Sequence, residues 1–352
     1  MNTSSASAAS ARPRSRRYRG RADLPPLIAF ASACTAARSP LFSTWSPGDV
    51  VWALQTRADE RQPCRFWIGQ DGAEVLAWFV GANEVWLEAL PESEAIVPHA
   101  IKWAESAMAR RAGGSSLSLK IRAYLSDEHR IATLESMGYR CAGAADVNFR
   151  ISFAEALPKT SAPVGLAVRD SVRIDPDARA KAHRAAWNHL EHLGIEARSS
   201  FTTETYLSLT HLPAYDASLD MLAVTPMGEL VGNCIAWADD ASGVAVFEPV
   251  GVAPAWRGRR VASSMMGEAL RRLKARGFAE ARASTASFNH AAVAAYLACG
   301  FKRADECWWW EKTIDQAPNG QQSKTSGPRG QRKIAVKPHP GGWESAWNRE
   351  EP

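Results

Sequence analysis

Cysteine is sparse and widely spaced in this 352-residue sequence: the six lie at positions 34, 64, 141, 234, 299 and 307. None stands at the spacing of a metal knuckle, and no disulfide framework is suggested, so reduced thiols in a cytoplasm are expected and a metal is not. No apolar run is long enough to span a bilayer, so no membrane partner is expected. Arginines followed by Leu27–Ala37 superficially resemble an export signal, but the apolar stretch is short and follows Pro25-Pro26, so export is not expected either. Excess charge is also small, +5 in all, and residues 1–21 alone carry six Arg and no acid. Those charges lack the repeated interleaving with aromatics of a dedicated reader, so nucleic acid is not an expected partner. Both ends, residues 1–40 and 315–352, read as disordered tails.

What the sequence does have is a basic turn between two periodic segments. Residues 252–262 read Val-Ala-Pro-Ala-Trp-Arg-Gly-Arg-Arg-Val-Ala. After the turn, Val261, Met265, Met266, Ala269, Leu270 and Leu273 recur at helical spacing, and Gly277 supplies a C-terminal stop. Before it, Val244–Val252 reads as a buried strand interrupted by Pro249 and Gly251, which predicts a bulge. A helix N-terminus offers unpaired N–H groups and about half a positive charge. With Arg257, Arg259 and Arg260 beside it and Gly258 allowing close approach, it suits a diphosphate.

Downstream, Ala281–Ser287 reads as a strand, followed by Asn289-x-x-Ala292-x-x-x-Tyr296-x-x-x-Gly300-Phe301. Together with Val252-x-Pro254-x-x-Arg257-x-x-Arg260-x-Ala262, this resembles the two cofactor motifs of the GNAT acetyltransferase superfamily, over about residues 164–313. The resemblance implies an α/β (α+β) fold, a mixed, mostly antiparallel central sheet with helices on both faces. It also implies acetyl-CoA as cosubstrate. Its pyrophosphate would be held by the N–H groups of Gly258, Arg259, Arg260, Val261, Ala262 and Ser263, and its pantetheine arm by Val250, Val252 and Asn289. Tyr296 matches the tyrosine that protonates the departing thiolate. Arg260 departs from the family's usual Gly; a helical φ would make Arg tolerable there, with its side chain free to contact the nucleotide phosphates.

Acyl transfer to an amine needs a base. Glu248, in the bulged strand among Phe247, Val250 and Trp256, is the candidate, with a carboxyl pKa raised by that setting, and the alternative is a strand-end carboxylate paired with an Arg. The Val250 N–H is a candidate oxyanion donor. Cys299 reads as a small buried hydrophobe rather than an acyl carrier, which leaves direct attack in a ternary complex. Trp308–Trp310 read as a closing strand packing under the site. His183, His189 and His192 are expected on a solvent face. The acceptor pocket is expected around Asn188–Tyr215, with His189, His192, Glu196, Arg198, Tyr206, His211 and Asp216, and from the facing lobe.

The length suits two cores. Asp127–Tyr139 repeats the helix-then-Gly-aromatic ending of Asn289–Phe301 at an offset of 162 residues, and Pro91 stands 163 before Pro254. Ile68–Val80 and Val85–Leu90 read as strands, Glu92–Ala112 as a helix and Ser115–Tyr124 as a strand, so the fold is expected twice. In the first copy Glu-Ser-Glu follows Pro91, and Leu134 stands in place of Tyr296, which marks it as empty. The expected layout is a degenerate lobe over 41–155 and an active one over 156–314, an architecture resembling that of mycothiol synthase, as a monomer or homodimer. The expected activity is acetyl transfer to the primary amine of a small molecule. The alternatives are a non-catalytic CoA or effector-binding module, and an acyltransferase using a longer acyl-CoA.

Overall fold

The computed structural model describes residues 14–39, 41–43, 45–56, 64–69, 72–79, 82–111, 116–188, 190, 194 and 198–315. They form one mixed, mostly antiparallel sheet of twelve strands with helices on both faces. The first lobe contributes β1 (Ser15–Arg17), β2 (Cys64–Ile68), β3 (Ala73–Phe79), β4 (Glu84–Ala89), β5 (Leu117–Tyr124) and β6 (Arg140–Ser152). The second contributes β7 (Ala167–Asp170), β8 (Asp220–Val224), β9 (Leu230–Asp239), β10 (Val244–Val252), β11 (Glu280–Thr285) and β12 (Lys302–Ile314).

The strand order is β1-β2-β3-β4-β5-β12-β6-β11-β10-β9-β8-β7. The last strands are therefore exchanged: β12 pairs with β5 of the first lobe, β6 pairs with β11 of the second, and the two pair with each other. Each lobe thus completes the other's sheet, and no open edge is left between them. The helices preceding these strands, α4 (Glu128–Ser136) and α8 (His290–Ala298), keep the same 162-residue offset as β6 and β12. The tandem repeat read from the sequence is thus present in the fold.

Within each lobe a long amphipathic helix covers one face. Val261, Met265, Met266, Ala269, Leu270 and Leu273 of α7 (Val261–Ala275) are buried against β8–β11, and Gly277 ends the segment at φ +84°. In the first lobe α3 (Val97–Arg111) does the same with Val97, Ala100, Ile101, Ala104 and Met108. The expected single helix over Glu92–Ala112 begins instead as a 3-10 turn, Pro91–Ile96. Pro98 has no N–H and fits only a first helical turn, which fixes the α-helical start at Val97. Likewise the run expected as one strand, Ile68–Val80, is the end of β2 and all of β3, with Gly69 donating to the Gly72 carbonyl between them.

A third cluster bridges the lobes, and here the tail expected over residues 1–40 is corrected. Residues Leu24–Arg38 form α1, with Leu24, Leu27, Phe30, Ala31 and Cys34 buried at helical spacing, a pattern that the arginines upstream obscured. This helix and α2 (Pro47–Thr56) pack on β2 and β3 through Phe66, Leu76 and Trp78 and on β9 through Ile235 and Trp237. Ser32 Oγ donates to the Asp239 carboxylate at 2.8 Å, tying α1 to the second lobe. Residues 1–13 and 316–352, the rest of the expected tails, lie outside the described residues. Among the described residues no helix is long and apolar enough to cross a membrane.

Candidate active site

Strands β10 and β11 pair in parallel only through Val244, Ala245 and Val246. Beyond Val246 they part, and the register of β10 against β9 slips between Phe247 and Val250, which is the bulge expected from Pro249 and Gly251. A cavity of about 200 Å3 opens at this divergence. Glu248, Val250, Asn289 and Tyr296 all line it, so four of the sequence-derived site residues are brought together.

Each is held by its element. Asn289 caps α8, its Oδ1 accepting from the Ala292 N–H at 3.2 Å, so capping and site roles coincide in one side chain. Tyr296, one helical face further on, is buried between the rings of Phe149 and Phe301, with its hydroxyl donating to the Ser284 carbonyl at 3.3 Å. Burial, and next the neighbouring Glu248 charge, push its pKa well above the ordinary tyrosine value, so the phenol keeps its proton. The backbone of Glu248 is anchored by Trp237 Nε1, which donates to its carbonyl.

The basic turn follows β10, and none of residues 252–263 is among those that line the cavity. The N–H groups of Val261, Ala262 and Ser263 open α7, and the first i to i−4 bond of the helix is donated by Ser264, to Arg260. The Val261 side chain is in the core, Ala262 packs against it, and Ser263 Oγ donates to Arg260 O, so these residues present backbone only. Arg259 stacks on Trp256 at 5.2 Å, and it and Arg260 are exposed with no carboxylate partner among the described residues.

Two expectations about this turn are corrected. Arg260 is not helical: it sits at φ +63°, the one non-glycine residue at positive φ among those described, and Gly258 is at φ +73°. That explains the family's preference for Gly, since an L side chain in the left-handed region costs about 1–2 kcal/mol. Arg257 does not project toward an anion. Its Nε donates to Val252 O at 3.2 Å and its Nη2 to Ala186 O at 3.0 Å, which locks the turn to β10 and to α5 (Pro176–Trp187). The Val252 carbonyl is accordingly already engaged.

The acceptor side differs more from expectation. His183 is not on a solvent face. It is 4% exposed and lines the cavity, stacked on Trp187 at 4.4 Å and beside Phe201 at 4.3 Å. Burial, with Arg179 second, pushes its pKa well below the ordinary value, so the ring is neutral. Trp187 in turn covers Gly251 so closely that a Cβ there would stand 1.9 Å from the indole. His189, His192 and Glu196 lie outside the described residues. Tyr206 bonds to Tyr215 and Asp220, Asp216 pairs with Arg276, and His211 is exposed, so none of these reaches the cavity. From that segment Ser199, Ser200, Phe201 and Thr205 line it instead.

The floor of the cavity was not foreseen. It is the exchanged seam of the sheet: Arg122 on β5, Asp146 and Asn148 on β6, Arg282 on β11 and Trp309 on β12. The roof is α2 with Trp52 and Asp49, and the segment holding Phe42 and Ser43. The signal was polar residues alternating through strands that are covered on both faces, as in Asp146-Val-Asn148 and Arg282-Ala-Ser284. Trp308–Trp310 do lie on a strand; Trp309 faces the cavity, whereas Trp310 belongs to the first lobe's core. Cys299 is fully buried with its pKa pushed up to about 12, an inert thiol.

Residues 185–301 match the family model described as Acetyltransferase (GNAT) family. Solved structures share the fold across nearly the whole chain. A GCN5-related N-acetyltransferase from Sphaerobacter thermophilus superposes with a TM-score of 0.55 at 22% identity, covering 89% of this chain and 99% of that one. A tandem GNAT protein from the clavulanic acid biosynthesis pathway gives 0.55 at 14% identity, covering 86% and 99%. A GNAT-family acetyltransferase from Colwellia psychrerythraea gives 0.51 at 11%, covering 85% and 99%. No curated protein matched. A segment in the second half of the chain is thus similar to the GNAT acetyltransferase family, and the chain as a whole shares its fold with a tandem GNAT protein.

Proposed function

We propose that the second lobe, residues 156–314, transfers an acetyl group from acetyl-CoA to the primary amine of a small molecule, and that the first, residues 41–155, is catalytically empty. The observation that carries this reading is the divergence of β10 from β11, where a carboxylate, a protonated phenol and a bulged strand face one cavity. The donor set suits a CoA thioester. Three unpaired N–H groups at α7, with Arg259 and Arg260 exposed beside them, are matched to a diphosphate, and the β10 edge at Val250, which β11 leaves unpaired, is matched to a pantetheine amide. In this reading Asn289 adds a side-chain contact to that arm.

In the reaction Glu248 takes the proton of the incoming ammonium, directly or through a water. The amine attacks the thioester carbonyl within the ternary complex, the Val250 N–H receives the developing oxyanion, and Tyr296 returns a proton to the departing thiolate. A phenol held protonated by burial is suited to that last step. The free cysteines, five of them buried, suit a reducing compartment such as the cytoplasm. The test is thiol release from acetyl-CoA with a panel of amines. Turnover that needs an amine supports transfer. Tight cofactor binding with no thiol release under any amine would establish a binding module instead, and faster turnover with longer acyl-CoAs would reassign the donor.

A further inference from the structure

Three residues of the cavity floor, 3%, 4% and 5% exposed, each carry a buried N–H donor with no hydrogen-bond partner among the described residues: Asn148 Nδ2, Arg282 Nη2 and Trp309 Nε1. A buried donor left unpaired is costly, so a floor carrying three of them is built to meet acceptor oxygens. Two of them converge. Asn148 pairs in register with Ser284, two residues along β11 from Arg282, so both side chains share one face, as diagonal neighbours about 7–8 Å apart at the backbone.

Arg282 is held in place. Its Nε donates to Glu280 at 2.6 Å and its Nη1 to the Leu41 carbonyl at 3.0 Å, which fixes the guanidinium and leaves Nη2 without a partner among the described residues. Glu280 is shared with Arg150 at 3.1 Å, so these three groups together carry one net positive charge. Arg122, the other cation of the floor, is paired with Asp146. At this end of the floor one net positive charge with planar N–H donors matches a monoanionic carboxylate better than a dianionic phosphate, and Asp49 and Glu248 on the other walls suit the ammonium of the same molecule.

The reacting end lies on the same face. Arg282 pairs with Val246 on β10, and Glu248 stands two residues beyond Val246. We infer that the acceptor is an amino acid, or a small amine bearing a carboxylate a few bonds from its nitrogen, with the carboxylate seated on Arg282 Nη2 and Asn148 Nδ2 and the amine directed to Glu248. The inference rests on the transfer reading above. Trp52, Trp187 and Phe201 on the opposite wall would receive the side chain, which favours apolar or aromatic members of the class.

The test compares matched pairs, each an α-amino acid and the amine left by its decarboxylation, in acetyl-CoA turnover by the full chain. The expected result is kcat/KM at least about 10-fold higher for the carboxylate-bearing member, the ratio shrinking by about 10- to 100-fold in Arg282→Gln and Asn148→Asp, chiefly through KM. Asn148→Asp keeps size and shape, so it decides the matter should Arg282→Gln fail to fold with Glu280 left less compensated. Calorimetry of the same amino acids with CoA present gives a readout without turnover. Equal rates for both members, or a ratio unmoved in variants that melt normally, would overturn the inference and leave the transfer reading intact. Amino-acid binding that depends on Arg282 with no thiol release would do the reverse. No carboxylate binding at all would assign the three donors to water.

Discussion

The two lobes present the same divergence of parallel strands and fill it differently. In the first, β4 and β5 pair only at Glu84–Lys120 and Val85–Ile121 before parting, as β10 and β11 do. There the gap is occupied by arginine. Leu87 and Ala89, four and two residues before Pro91, stand where Val250 and Val252 precede Pro254. Arg130 Nη1 donates to Leu87 O at 3.1 Å, and Arg38 Nη2 donates to Ala89 O at 3.0 Å. The two guanidiniums are compensated by Glu94, which pairs with both, and by Glu88 and Asp127, which pair with Arg38. In the second lobe Arg130's position is held by Ala292, Leu134's by Tyr296, and the acidic 3-10 turn is replaced by Gly258-Arg259-Arg260. One lobe has thus bonded both carbonyls of its strand edge into a structural ion network, whereas the other engages only Val252, through Arg257, and leaves Val250 lining the cavity.

The network offers the strongest way to break the comparison. Arg38 is 9% exposed, and three carboxylates depend on it. Burial opposes its charge, yet the acidic neighbours hold its pKa above the ordinary arginine value, so it stays ionised throughout any accessible pH. Arg38→Ala is expected to lower unfolding free energy by about 3–5 kcal/mol, read from urea or thermal melts, because buried carboxylates lose their partner. Arg38→Ala combined with Glu94→Gln should cost less than the two single changes summed. Additive losses would mean that the groups do not act together.

Next in size are the catalytic changes in the open lobe. Tyr296→Phe is expected to lower kcat by about 100-fold or more with acetyl-CoA affinity within about threefold, whereas Leu134→Tyr in the closed lobe should add no turnover. Because the Tyr296 pKa is raised, its proton remains in place as pH climbs through the ordinary tyrosine range, so no alkaline fall in kcat should trace to it. A fall near pH 10 that disappears in Tyr296→Phe would contradict the buried, protonated phenol. Gly258→Asp addresses the binding corner. It is expected to weaken acetyl-CoA about 10-fold or more in calorimetry, since it sets a negative charge beside the diphosphate N–H groups and forces an L residue to φ +73°.

The sequence carried much of this and missed a definable part. The repeat and the bulge were legible because each rests on local chemistry, Pro and Gly in a strand and apolar residues at helical spacing, whereas Val250, Asn289 and Tyr296 came from the resemblance of their motifs to the GNAT family and Glu248 from its place in the bulged strand. The floor of the cavity was not legible, because Asn148, Arg282 and Trp309 meet only through the exchange of β6 and β12, a pairing between residues at least 128 apart in the chain. The roof was missed for a related reason. Helix α1 buries Leu27 and Cys34 against strands of both lobes, and its role is invisible until those strands are placed. Arg260 was misjudged more simply, since its residue type gave no sign of a left-handed backbone.

That backbone gives the finest test of how the open lobe is tuned. Arg260 carries a conformational cost of about 1–2 kcal/mol that Gly would not, partly offset by the greater chain entropy of Gly in the unfolded state. Arg260→Gly is therefore expected to raise stability by up to about 1 kcal/mol in denaturant melts. If the exposed guanidinium reaches the phosphates, the same change lowers acetyl-CoA affinity a few-fold at low salt, with the difference fading as ionic strength rises and the charges are screened. Gain of stability with unaltered affinity at every salt concentration would show that the strain is kept for nothing that the phosphates use. Loss of both would place Arg260 in the packing of the turn, in spite of its exposure and its lack of a carboxylate partner.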